Sequence, residues 1–280
     1  MIFDDCWNPN PIIGSQPAPK PGIHNSGWVQ SPSLDVVNRG ASAWGRLEQY
    51  VGDIIGSFAD DERILLWDLY NEPGNSGNGE NSVPLVKSVF EWARAADPGQ
   101  PLSVGIWFDN KELNEFQLAV SDVITFHNYS PADHLERQIA ELKTHVRPLV
   151  CTEWMARTCG SLGSTHLPIF SQEKVGCLNW GLVAGKTNTI YQWEVLQDFL
   201  NPVTSFTDPD TPEPRSGSMT FSARMERLTI KQKSNYSKST PGCKALSSFR
   251  VPYSQFLMNG KIQFDCVHPC TGDSFHTPAE

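Results

Sequence analysis

Four runs of the sequence end in side chains able to do chemistry. "RILLWDLYN" (63–71) leads into Asn71 and Glu72, "SDVITFHNY" (121–129) closes on His127 and Tyr129, "RPLVCTEW" (147–154) carries Glu153, and "VGCLNWGLV" (175–183) carries Asn179 and Trp180. A carboxylate at the end of a buried apolar run is costly unless it has a task. In a parallel barrel the carboxyl ends of all strands share one face, so Glu72 and Glu153 are expected to meet across one pocket. Two such carboxylates, one protonated and one ionised, can split a glycosidic bond through a covalent sugar-enzyme intermediate. That route retains the anomeric configuration and calls for carboxyl groups ~5–5.5 Å apart.

The elements that must position these groups are legible as alternation. Short apolar runs at 1–7 ("MIFDDCW"), 63–71, 101–107 ("PLSVGIW"), 121–129, 147–154 and 175–183 read as parallel strands, with amphipathic segments between them as crossover helices. Trp44, Leu47, Val51, Ile54, Ile55 and Phe58 recur at helical spacing, as do Leu85, Val89, Phe90 and Ala93, and Leu135, Ile139 and Leu142. Asp133 followed by Glu136 predicts a capping box, and Pro84 suits a first helical turn. Residues 8–35 hold six prolines and no period, and are expected to form a long ordered loop from which His24 and Trp28 can reach a ligand.

Composition narrows the partners. A net charge of −9, without basic clusters, argues against nucleic acid or an anionic membrane surface. No apolar run approaches the ~20 residues of a membrane span, and the start lacks a signal pattern, so the chain reads as soluble. Seven cysteines, with Cys6, Cys151 and Cys177 inside apolar runs, predict small buried hydrophobes rather than a disulfide framework. Cys266, His268 and Cys270 resemble a zinc half-site without a second pair, so no metal is expected. All nine tryptophans lie at or before Trp193, and residues 217–280 carry eight Lys/Arg against four Asp/Glu, opposite to the acidic body. The expected division is therefore a catalytic domain over 1–205 and an irregular tail over 206–280.

"DLYNEPGN", "TFHNYS", "CTEWMAR" and "NWGLVAGK" resemble, in order, the motifs of clan A glycoside hydrolases, most of all glycoside hydrolase family 5. The resemblance implies a TIM (β/α)8 barrel of which strands 3 to 8 are present, and a retaining hydrolase acting on a plant-type β-linked polysaccharide or oligosaccharide. It implies Glu72 as acid/base, Glu153 as nucleophile, Asn71 as holder of the sugar 2-hydroxyl, Tyr129 as partner of the nucleophile and Trp180 as sugar platform. His127 completes the hydrogen-bonding wall, Trp28 is a further substrate contact, and no cofactor is implied. On this reading Glu72 keeps a raised pKa while Tyr129 keeps Glu153 ionised. Singly, Trp180 as core filler, Asn71 as turn cap or His127 as a satisfied buried histidine would be as good a reading. Trp7, Trp107 and Trp154 are sugar-stacking faces or core, with the sequence favouring neither.

The first two strands of such a barrel, with the Arg of the second, have no counterpart here; Asp4 and Asp5 stand where the His of the third strand is expected, as candidate ligands. This predicts an N-terminally truncated gene model. Codons permitted for 216–228 also allow, in another frame, Trp-Phe-His-Asp-Ile-Phe-Arg-Ala-Asp-Gly-Thr-Pro, which resembles how these enzymes finish. On that expectation residues after about 215 are out of frame. The rival from another class is a non-catalytic carbohydrate-binding barrel or an inactive truncated copy; an ester hydrolase is disfavoured by the absence of G-x-S-x-G.

Overall fold

The computed structural model describes residues 1–20, 23–181, 187–189 and 191. The expected tail over 206–280, its Cys266, His268 and Cys270 and the boundary near 205 lie outside them, as does the end of the last strand run.

All six expected strand runs are present, with shorter regular cores: β1 (Phe3–Asp4), β2 (Trp67–Asp68), β3 (Tyr70–Asn71), β4 (Leu102–Ser103), β5 (Ile124–Asn128), β6 (Leu149–Trp154) and β7 (Gly176–Cys177). The 63–71 run contributes both β2 and β3. Each run is parallel to the next in sequence: β1 with β3, β2 with β4, β5 with β6 and β6 with β7. A single parallel bridge between Ile106 and Phe126 links the 101–107 run to β5. Backbone bonds from Leu69 to Ser103 and from Leu178 to Cys151 carry the ladder past the regular segments. Among the described residues the strands do not close into a barrel. Every residue of β5 is buried, as a strand covered on both faces requires.

Among the described residues six helices cover the strands: α1 (Leu34–Asn38), α2 (Gly45–Ser57), α3 (Val83–Ala95), α4 (Lys111–Val120), α5 (Ala132–Leu142) and α6 (Gly163–Glu173). The apolar stripes of α2, α3 and α5 face inward as expected, with Val51, Ile55, Leu85, Val89, Leu135 and Ile139 buried. Each such side chain contributes ~1.5–3 kcal/mol relative to exposure. Phe58, one residue past α2, is 41% exposed and does not join the stripe. Pro84 does sit in the first turn of α3. The predicted capping box of α5 is absent: Pro131 is the N-cap without a side-chain bond, and Asp133 instead pairs with Arg137 one turn on. The 8–35 loop is as long as expected but ends at Leu34, where α1 begins. It is tied down by bridges from Asn8 to Val29 and from Asp4 to Ser31.

Among the described residues two apolar clusters form the interior. One joins Phe3, Leu69, Tyr70 and Leu102 to α2 and α3, and the other joins Phe126, Cys151 and Trp154 to α5 and α6. The site lies at the carboxyl ends of the strands above both.

Candidate active site

Glu72 follows β3 with a left-handed backbone, φ 43, unusual for a residue with a Cβ. Trp7 and Met155, just past β1 and β6, are left-handed too (φ 73 and 77). Beneath them, Asp5 fixes the Glu72 turn: its carboxyl accepts from Tyr70 Oη (2.7 Å), the Gly74 amide (2.7 Å) and Ser82 Oγ. Gly74 is required there, because it has φ 88 and a Cβ would meet the Gly79 carbonyl oxygen at 2.9 Å.

Glu153 reaches the same place through an irregularity. β5 and β6 pair Phe126 with Cys151 but His127 with Glu153, so Thr152 is the extra residue of a bulge. Without it Thr152 would stand opposite His127; the bulge brings Glu153 alongside the histidine. His127 Nδ1 lies 2.8 Å from Glu72 Oε1 and 3.5 Å from Glu153 Oε2. One atom from each of Glu72, His127 and Glu153 falls within 4.8 Å of the other two. Tyr129 Oη donates to Glu153 Oε2 at 2.6 Å.

The electrostatics differ from the sequence expectation. Burial works against a charged His127, yet the charge of Glu153 and the hydrogen bond and charge of Glu72 push it up to about 9, so it is an imidazolium at neutral pH. Burial also raises Glu72, but bonds from His127, Cys6 and Asn75 outweigh it and hold this carboxyl below its ordinary value. Burial drives Glu153 the other way, to about 7, helped by the negative charge of Glu72 and opposed by His127 and Tyr129. The shifts therefore run opposite to the roles that the resemblance implies, with Glu72 lowered and Glu153 raised. The cause is the placement of His127, in hydrogen-bonding distance of Glu72 but 3.5 Å from Glu153. Glu72, His127 and Glu153 are the one group of His, Cys, Asp and Glu, among the described residues, close enough to share a metal ion.

These groups line a cavity of about 1030 Å³ with Asn71, Trp28 and Trp180, so every expected site residue borders it. Trp180 meets Trp28 edge-on, ring centres 5.2 Å apart, and Trp28 Nε1 donates to Asp4 Oδ2 at 2.6 Å. Asn71 Nδ2 lies 3.3 Å from both Asp4 Oδ1 and Cys6 Sγ. Trp7, His24 and Trp107 also line the cavity, and burial pushes His24 down to about 4, leaving it neutral. Trp154 does not: it is buried, stacked on His166 and edge-on to Phe170. Asp4 and Asp5 are not cavity groups either; buried behind it, they hold Asn71, Trp28 and the Glu72 turn. Sequence reasoning missed two contacts of Glu72. Cys6 was read as a small hydrophobe, and Asn75 carried no signal beyond its place after the Pro-Gly turn.

The family model described as "Cellulase (glycosyl hydrolase family 5)" matches residues 22–197. No curated protein matches the chain. Among solved structures, a β-glucuronidase of Faecalibacterium prausnitzii is 13% identical, with 68% of this chain and 34% of that one covered and a TM-score of 0.42. An endo-β-1,4-mannanase of Thermotoga petrophila is 19% identical over 52% of this chain and 43% of its own, with a TM-score of 0.41. A family 10 endo-β-1,4-xylanase of Gloeophyllum trabeum is 13% identical over 61% and 63%, with a TM-score of 0.39. The chain therefore spans between about a third and two thirds of the length of these structures. The family match covers more than half of the chain, and the chain belongs to the cellulase family, glycosyl hydrolase family 5.

Proposed function

We propose that the protein is a retaining β-glycoside hydrolase that cleaves O-glycosidic bonds in a plant-type β-linked polysaccharide or its oligosaccharides, on strands that belong to a (β/α)8 barrel. The observation that carries this reading is the triad of Glu72, His127 and Glu153, with mutual distances under 4.8 Å in an aromatic-lined cavity. That spacing suits direct attack on the anomeric carbon and leaves no room for a water between the carboxyls.

The resting proton order has to change before reaction, and His127 offers the path. Its Nδ1 proton passes to Glu72 Oε1, and the proton of Glu153 then replaces it on Nδ1. The result is a protonated Glu72, an imidazolium and an ionised Glu153, with the same total of protons. Developing positive charge on the bound sugar favours this state, because it places the anion beside the anomeric carbon. Glu153 then attacks while Glu72 protonates the leaving oxygen. Esterification removes one negative charge, and Glu72, again an anion held by His127, takes a proton from the water that opens the ester. Trp180 and Trp28 supply the face on which the sugar ring stacks.

The test is the stereochemistry and its dependence on Glu153. Proton NMR of the first product released from an aryl β-glycoside should show the β-anomer, with mannan, glucan and xylan assayed in parallel to find the polymer. Glu153→Gln should lose turnover. First formation of the α-anomer, or equal activity in the variant, would overturn the reading, and binding without turnover would identify a carbohydrate-binding protein instead.

A further inference from the structure

We propose that the thiol of Cys6 is a positioning residue for Glu72: its S–H donates to Oε2 and keeps that carboxyl aimed into the cavity. This rests on the reading of Glu72 as the acid/base. Cys6 lies past the end of β1, 5% exposed, with Sγ 3.2 Å from Glu72 Oε2. Its own orientation is fixed from both sides. The Cys6 amide donates to Asp4 Oδ1 at 2.7 Å, and Asn71 Nδ2 and Asn75 Nδ2 approach the sulfur at 3.3 and 3.5 Å. Burial first, then the charges of Glu72 and Asp4, push the thiol far above its ordinary range, so it is S–H at every working pH and can donate.

The groups facing Glu72 are Cys6 from the end of β1, Asn75 from its own turn, His127 from β5 and Glu153 from β6. His127 holds Oε1, whereas Cys6 and Asn75 hold Oε2. An acid/base residue must alternate between two protonation states. A lysine or arginine on Oε2 would pin it ionised, but a thiol is a weak donor that orients the carboxyl and still lets it take a proton. The thiol thus orients Oε2 beside Asn75 without adding a further charge to the one that His127 places on Oε1.

Titration of the Glu72 carboxyl by carbon-13 NMR in wild type, Cys6→Ala and Cys6→Ser tests this without turnover. Loss of the donor should raise the Glu72 midpoint by about 0.4 to 1 pH unit in Cys6→Ala. The stronger O–H donor of Cys6→Ser should lower it below wild type, a comparison that stands even if the alanine variant does not fold. In turnover of a glycoside with a poor leaving group, Cys6→Ala should lose about 3- to 10-fold in kcat, with serine restoring most of it. Equal midpoints in wild type and Cys6→Ser, or serine behaving as alanine, would overturn the role. Absence of turnover in wild type would instead sink the glycosidase reading, and the titration would still decide the role of Cys6.

Discussion

Tyr129→Phe removes one hydrogen bond from the carboxyl that must be ionised to attack. The Tyr129 hydroxyl donates to Glu153 Oε2 at 2.6 Å, the short distance of a charge-assisted bond. Glu153 stands at about 7 with that bond in place, so about half of it is ionised at neutral pH. A hydrogen bond to a charged group is worth about 1.5–3 kcal/mol, equivalent to about 1 to 2 pKa units. Without it the ionised fraction at pH 7 falls from about a half to between about a tenth and a hundredth, a loss of about 5- to 50-fold in kcat/KM. The assay is kcat/KM against pH on a dinitrophenyl β-glycoside, whose leaving group needs little help from Glu72. The acid limb of the profile should move up by about 1 to 2 units, with activity recovering at high pH. A limb that stays in place, or a loss equal at every pH, would refute the idea that Tyr129 acts by favouring the Glu153 anion.

Three further outcomes are expected. The folded protein binds the His127 proton more tightly than the unfolded chain does, about 9 against 6.5, so its contribution is full below pH 6.5 and lost as pH rises through about 9. Denaturant unfolding of wild type and His127→Gln should accordingly differ by about 3 kcal/mol at pH 6 and converge above pH 10, and a pH-independent difference would contradict this. Trp180→Ala should raise KM for oligosaccharides about 2- to 10-fold with little change in melting temperature, whereas Trp154→Ala should cost about 3–5 kcal/mol of stability. Asp5→Ala leaves the buried donors of Tyr70, Gly74 and Ser82 without an acceptor and should cost at least about 3 kcal/mol in urea unfolding, with activity falling as the Glu72 turn loosens.

The strands were legible as short apolar runs because their cores are buried, β5 at every residue and β6 at Leu149, Cys151 and Trp154. The helices α2, α3 and α5 were legible for the same reason in another period. Helix α4 was not, because one of its two buried residues is Gln117, whose side chain bonds to the Gly105 carbonyl, so its inner face is not apolar. Helix α6 carries Pro168 inside it and buries His166, which hides its stripe. The two carboxylates were legible from type and order at strand ends, but not what holds them. The bulge at Thr152 leaves no mark in the sequence, since it is a property of pairing between two strands. The bonds that hold Glu72 below its ordinary value left no signal, because they depend on where His127, Cys6 and Asn75 are placed. Cys6 was misread because a free cysteine in an apolar run looks like core until its neighbour is known to be Glu72.

The most direct test of the account is covalent trapping of the nucleophile. Incubation with an activated 2-deoxy-2-fluoro β-glycoside, followed by proteolysis and mass spectrometry, should place one sugar on the peptide containing Glu153. The label should be absent in Glu153→Gln. A sugar carried by Glu72 or any other residue, or turnover of the parent glycoside with no trapped species at all, would contradict it.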